Sequence, residues 1–157
     1  MDNIVLHYLL DFLLSAIPAV GFAMLFATPK KYLLLVALGG SITHLLRTIL
    51  LEVCNLHIGT ATFFAVFFMS MMFIFIAPKI KVPRPVFTVA SIIPIIPGKY
   101  AYATLLAAIE IHYSDAADIE NITNLVRNGL NCAAIMLSMG LGIALPPLLF
   151  YRNRPVV

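Results

Sequence analysis

The sequence has 157 residues, of which 62% are hydrophobic and 11% are charged. Soluble domains carry roughly 25% charged residues, so a water-soluble fold of this composition would lack the polar surface to cover itself. The net charge of +3 does not indicate nucleic-acid binding, because the basic residues form short clusters between apolar runs, as loops between membrane spans do.

Five apolar segments are each long enough to cross a bilayer, which takes about 20 mostly apolar residues. In chain order they cover residues 4–27, 32–51, 59–77, 86–109 and 125–151. The first is too long for the apolar core of a signal peptide, so we expect it to stay as a span. The sequence therefore predicts an all-α, polytopic membrane helical bundle in a single domain, residues 1–157.

The distribution of basic residues predicts the orientation of the five spans. Cytoplasmic loops collect Lys and Arg, and five spans place every basic cluster on one side: Lys30 and Lys31, then Lys79, Lys81 and Arg84, then Arg152 and Arg154. The loops 52–57 and 110–124 on the other side contain no Lys or Arg. Removing the second segment would break this pattern. We therefore expect the N-terminus outside and the C-terminus in the cytoplasm.

Asp11 is an ionisable residue inside the first span. Such groups are expensive in the bilayer and are functional candidates by default. Asp11 is therefore a candidate proton carrier, with Ser15 at i+4 and Pro18 at i+7 on the same helix face. The alternative is that Asp11 lies near the outer interface and is simply hydrated.

His44 and Arg47 share a face of the second span, since they are three positions apart. Arginine binds carboxylates through two parallel hydrogen bonds, so Arg47 with His44 is a candidate substrate-binding pair, and His44 is a second candidate proton carrier. Thr43 can join this polar stripe, and the small residues 39–41 allow another helix to approach closely. In the alternative interpretation, Arg47 pairs with Asp11 or Glu52 only to hold the bundle together.

The fourth segment contains Pro94, Pro97 and Gly98, followed by Lys99. Two prolines and a glycine within five residues predict a helix broken at Pro94/Pro97-Gly98. Transporters use such breaks as binding sites, because the free amides of the second half-helix point at an anionic group. Pro97, Gly98 and Lys99 are therefore further substrate-binding candidates. The alternative is a proline kink that serves packing only.

Several motifs of other functions do not occur in the sequence. It contains no phosphate-binding glycine loop, no zinc-protease motif and no nucleophile-elbow motif. We therefore expect no enzyme activity, no cofactor and no metal. Secondary active transport remains the leading interpretation, and a non-transporting scaffold is the alternative.

Five short segments together carry a family resemblance over nearly the whole chain. They are Ala16-Ile17-Pro18-Ala19-Val20-Gly21-Phe22-Ala23, Gly40-Ser41-x-x-His44-x-x-Arg47, Val86-Phe87-Thr88-Val89-Ala90, Ile93-Pro94-x-x-Pro97-Gly98-x-x-Ala101-Tyr102 and Leu149-Phe150-Tyr151-Arg152-x-Arg154-Pro155. In this order they resemble the small, YjjB-type subunit of the bacterial threonine/serine exporter (ThrE) family.

The resemblance implies a split exporter in which this chain works with a larger, YjjP-type membrane subunit. The implied substrates are threonine and serine, or dicarboxylates such as succinate. The motif positions carried over are Pro18, Gly21, His44, Arg47, Pro94, Pro97 and Gly98. Five spans are few for a complete transporter, which by itself favours assembly with a different subunit or with further copies of the chain. In the scaffold alternative, the larger subunit holds the whole pathway.

Overall fold

The computed structural model describes residues 2–113 and 118–150, and within them the secondary structure is entirely helical. The six α-helices and two 3₁₀ turns are α1 (Asp2–Leu25), a 3₁₀ turn (Lys30–Tyr32), α2 (Leu33–Glu52), α3 (Ile58–Ile80), α4 (Pro85–Ser91), a second 3₁₀ turn (Ile93–Ile95), α5 (Gly98–Tyr113) and α6 (Ile119–Phe150).

Four of these helices are long and apolar enough to cross a membrane: α1, α2 with the turn before it, α3, and α6. Pro85–Ile95 and Gly98–Tyr113 form a pair bent by 53°, which gives a fifth span if the pair crosses as one. The predicted polytopic bundle is confirmed, including the second segment with its charged residue. Arg152 and Arg154 lie outside the described residues, and the orientation stays a prediction.

The break in the fourth segment falls where the prolines predict it. The α-helix ends at Ser91, a 3₁₀ turn covers Ile93–Ile95, and Ile96 is extended before α5 begins at Gly98. Neither proline has an amide hydrogen to continue the helical ladder. The chain closes the gap with tight turns instead, and the Gly98 amide donates to the Ile96 carbonyl at 2.8 Å.

The interior of the bundle is formed mainly by α2, α3 and α4. Phe73 and Phe87 are fully buried and stacked, with ring centres 5.5 Å apart. Val36 and Ile95 are fully buried in the same cluster, to which α1 and α6 also contribute fully buried residues. The helices α1 and α6 expose many large apolar side chains, as expected for surfaces that face lipid or other membrane helices. The α5 helix packs chiefly on α6.

Glycines on α2 allow its neighbours to approach closely, as the small residues 39–41 predict. A Cβ at Gly39 would lie 2.6 Å from Ser91 Oγ and 2.7 Å from Phe73 Cζ. A Cβ at Gly40 would lie 2.6 Å from the Cβ of Ala19 on α1. A side chain of any size at either position would therefore push two helices apart.

We expect alanine at Gly39 or Gly40 to lower the free energy of unfolding by about 1–3 kcal/mol, because both sites are already fully packed. Gly21 and Gly140 are the matched controls, since a Cβ at either would meet nothing within 4 Å. Alanine there should be neutral, or stabilising by roughly 0.5–1 kcal/mol through helix propensity. Thermal unfolding of the four variants in one detergent measures the difference. Equal effects at all four positions would contradict this packing.

Candidate functional site

A partly open cavity of about 230 Å³ lies between α1, α2 and the second 3₁₀ turn. Four of its lining residues come from α1, namely Asp11, Leu14, Ser15 and Pro18, and the other two are His44 and Pro94. At ~30 Å³ per water the volume corresponds to about eight water molecules, which is the size range of a small metabolite with some of its hydration. The break in the fourth segment thus contributes directly to the wall of a cavity.

Asp11 and His44, predicted separately from two spans, are in direct contact on the cavity wall. Asp11 Oδ2 lies 2.9 Å from His44 Nδ1, and Thr48 Oγ1 donates to the same oxygen at 2.8 Å. An ionised carboxylate only accepts hydrogen bonds, so Nδ1 carries the hydrogen whenever Asp11 is charged. The two side chains are 22% and 20% exposed, respectively. They form a carboxylate–imidazole pair with access to the cavity, an arrangement that can exchange a proton.

The local geometry of α1 adds polar backbone to the same cavity. Pro18 lies inside α1 and has no amide hydrogen for the carbonyl of Leu14, four residues earlier. Ser15 donates to the backbone carbonyl of Asp11 at 2.7 Å, a bond within the helix that leaves the Asp11 side chain free for α2. The proline and the serine therefore shape the wall around Asp11 without competing for its carboxylate.

Arg47 points at the break and not at a carboxylate. Its Nη1 donates to the backbone carbonyl of Ile95 at 3.0 Å. In a continuous helix the amide of Lys99 would bond this carbonyl, but the chain turns away after Ile95, and Arg47 replaces that donor. Among the described residues Arg47 makes no salt bridge, and its buried Nε has no hydrogen-bond partner.

The helix geometry explains why His44 and Arg47 have different partners although they are neighbours. They differ by about 60° around the axis, so His44 faces α1 while Arg47 faces the break. Thr48 is only about 40° from His44 and faces α1 with it. The sequence interpretation missed Thr48. Its spacing of four positions from His44 would have indicated that both side chains lie on the same face of α2. The interpretation named Thr43 instead, which is fully buried and donates to the Gly39 carbonyl of its own helix.

The remaining predicted binding residues are divided between the interior and the surface. Pro97 is buried, whereas Gly98 and Lys99 are exposed, and none of the three lines the cavity. The Lys99 ammonium lies 5.8 Å from the centre of the Tyr100 ring and makes no salt bridge to a described residue. The structure therefore brings Asp11 and His44 together, but it does not bring Lys99 to them.

A second ionisable cluster lies one helical turn from Asp11, at the end of the bundle where α1 begins. Glu52 accepts from the Tyr8 hydroxyl at 3.0 Å, and its other oxygen is 3.5 Å from His7 Nε2. The alternative in which Arg47 pairs with Glu52 is therefore wrong. Arg47 and Glu52 are five positions apart, which is about 140° around the helix, so they lie on different faces of α2. Within the described residues no group of His, Cys, Asp and Glu has a metal-binding arrangement.

The fold and the cavity together define a polytopic membrane protein that carries an ionisable pair and a broken helix between its spans, features typical of secondary transporters. Residues 11–149 match the family described as Threonine/Serine exporter, ThrE. The match covers most of the chain, and the chain belongs to this family.

One curated relative is a Haemophilus influenzae protein whose own description is only "uncharacterized protein". It is 39% identical over 155 residues, which cover 97% of this chain and 50% of the relative. The chain thus spans about half the length of this relative. No solved structure matches the chain.

Proposed function

We propose that this chain is the small subunit of a secondary active exporter of small carboxylate-bearing metabolites. The substrate is threonine or serine, or a dicarboxylate such as succinate, and the driving force is a proton gradient. The chain acts with a larger, YjjP-type membrane subunit and performs no chemical conversion. Family membership supports the class of function, and the cavity supports the assignment of residues.

The observation that carries the proposal is the contact between Asp11 and His44 at 2.9 Å on the wall of a cavity between spans. A carboxylate inside a span is tolerated when it faces the bundle interior and has a partner. Here the partner is an imidazole, the side chain whose ordinary titration lies closest to physiological pH. The pair can therefore take up and release a proton next to a space of metabolite size.

Arg47 and the break would serve the substrate carboxylate. One guanidinium donor already holds the Ile95 carbonyl, while the buried Nε has no partner among the described residues. A buried donor without an acceptor costs about 1–3 kcal/mol, and a substrate carboxylate oxygen would remove that cost. The neighbouring Pro94 lines the cavity, so movement of the broken helix would couple Arg47 to its contents.

The relative shows that a unit similar to this chain occurs joined to further protein. Half of the Haemophilus influenzae protein is matched by this chain, and half is not. In our proposal a separate membrane subunit takes the place of the unmatched half.

Efflux from intact cells tests the proposed function. Cells producing this chain with its YjjP-type partner are loaded with radiolabelled threonine or, in parallel, with succinate. We expect efflux of one of them above background, and we expect it to disappear when this chain alone is omitted. Efflux that is unchanged without this chain would overturn the role of this chain in transport.

A scaffold role is the second candidate, and the bond from Arg47 to Ile95 favours it, because that contact is internal to the protein. The two roles differ in what substitution at His44 does. In a scaffold, His44→Gln would reduce assembly with the larger subunit. In a transport subunit the same variant would assemble normally and lose flux, which pull-down and efflux measured on the same cells distinguish.

A further inference from the structure

The helix break and the first turn of α5 present an exposed surface that combines irregular backbone with a lysine and a tyrosine. Ile96, Gly98, Lys99 and Tyr102 form this surface, called here the break face, and all four are exposed. A Cβ added to Gly98 would meet nothing within 4 Å, so a close neighbour has room to approach the backbone there.

The depth of the break face follows from the length of the segment before it. Pro85–Ile95 rises roughly 16 Å at 1.5 Å per residue, about half of a ~30 Å hydrocarbon core. With Pro85 at the membrane surface and the bent pair crossing as one span, Lys99 would thus lie some 15 Å from either surface, further than a lysine side chain can extend to reach water. A charge at this depth is costly even on mild insertion scales.

The backbone at the break needs cover for a separate reason. Irregular backbone at membrane depth is tolerated only where protein buries it or where it lines a water-filled cavity. Ile96 is extended and its side chain is 48% exposed. The cavity described above is lined by other residues, and neither Gly98 nor Lys99 belongs to it.

We infer that the break face is the docking surface for the second membrane subunit, and that this subunit places an Asp or Glu side chain against Lys99. The inference rests on the proposed two-subunit exporter. The occupant follows from the Lys99 cation, which has no carboxylate partner among the described residues and whose burial a carboxylate would compensate. It follows also from the unmatched half of the Haemophilus influenzae relative, which shows that this half-length unit occurs joined to further chain. Lys99 is then an assembly residue.

The test uses the full chain produced together with its complete YjjP-type membrane subunit, which carries the affinity tag. We expect the two to co-purify in mild detergent. Lys99→Glu should reduce the co-purified fraction at least about ten-fold, because it sets like charges against each other in a desolvated contact. Lys99→Arg should retain it. Changing one Asp or Glu of the partner's spans to Lys should restore binding to Lys99→Glu.

Lys79→Glu is the matched control, since it makes the same change of charge at an exposed lysine near the end of α3. It should co-purify like the unmodified chain, and circular dichroism should show equal helicity in every variant. Unchanged binding of Lys99→Glu would overturn the inference. So would failure of the unmodified chain to bind, or a crosslink from position 99 to a second copy of the chain or only to lipid.

Efflux measured on the same cells separates this inference from the proposed function. If the unmodified pair assembles through Lys99 but moves neither threonine nor succinate, the docking surface stands and the transport proposal fails. If Lys99→Glu leaves both assembly and efflux intact, the transport proposal stands and the docking surface is wrong.

Discussion

Asp11→Asn should reduce proton-driven efflux to the level of cells that lack this chain. The amide is the same size as the carboxylate, and its oxygen can still accept from Thr48 and His44, so the contact between α1 and α2 persists. It cannot bind and release a proton, and the step that couples transport to the gradient is lost. Efflux after an imposed pH jump in proteoliposomes containing both subunits measures this step.

Exchange of labelled for unlabelled substrate across the same proteoliposomes is the internal control for Asp11→Asn. Exchange needs no net proton movement, so it should persist while driven efflux disappears. Asp118→Asn makes the same chemical change at an exposed carboxylate, and both activities should remain. Normal driven efflux by Asp11→Asn would remove Asp11 from the coupling step. Loss of both activities with intact assembly would place Asp11 in substrate binding instead.

The bundle could be predicted from the sequence because membrane spans are specified by composition over about 20 residues. The break could be predicted as well, since the prolines remove amide donors wherever they lie. Both signals are local. They require no knowledge of which helices are neighbours in space. The described helix bounds lie within a few residues of the predicted spans except at the start of the last one, where the helix begins at Ile119 and not at residue 125.

The partners of the polar residues were harder to predict, because they depend on how the helices are rotated against one another. Spacing placed His44 and Arg47 on one face, but a difference of about 60° is enough to direct one at α1 and the other at the break. Asp11 was recognised as a candidate by its cost in the bilayer, yet nothing in the sequence indicated that its partner would be His44 in place of Arg47.

Arg47→Gln should destabilise the protein and impair transport together. The Ile95 carbonyl loses the donor that replaces its helical partner, and an unsatisfied buried acceptor costs about 1–3 kcal/mol. Since Pro94 beside it lines the cavity, a loosened break also changes the substrate site, so efflux should fall and the preference between threonine and succinate should shift. Thermal unfolding in detergent and efflux of both substrates measure the two effects.

Arg127→Gln is the control for Arg47→Gln, because Arg127 is exposed on α6 and its loss should change the free energy of unfolding by no more than about 0.5 kcal/mol.

The Arg47→Lys variant separates the two roles of the guanidinium. A lysine can donate to one carbonyl and so can restore the stability of the break, but as a point charge it lacks the fork that holds a carboxylate. Recovery of stability without recovery of efflux would assign Arg47 to the substrate as well as to the break. Recovery of both would leave it a purely structural residue, and unchanged efflux in Arg47→Gln would show that the substrate is bound elsewhere.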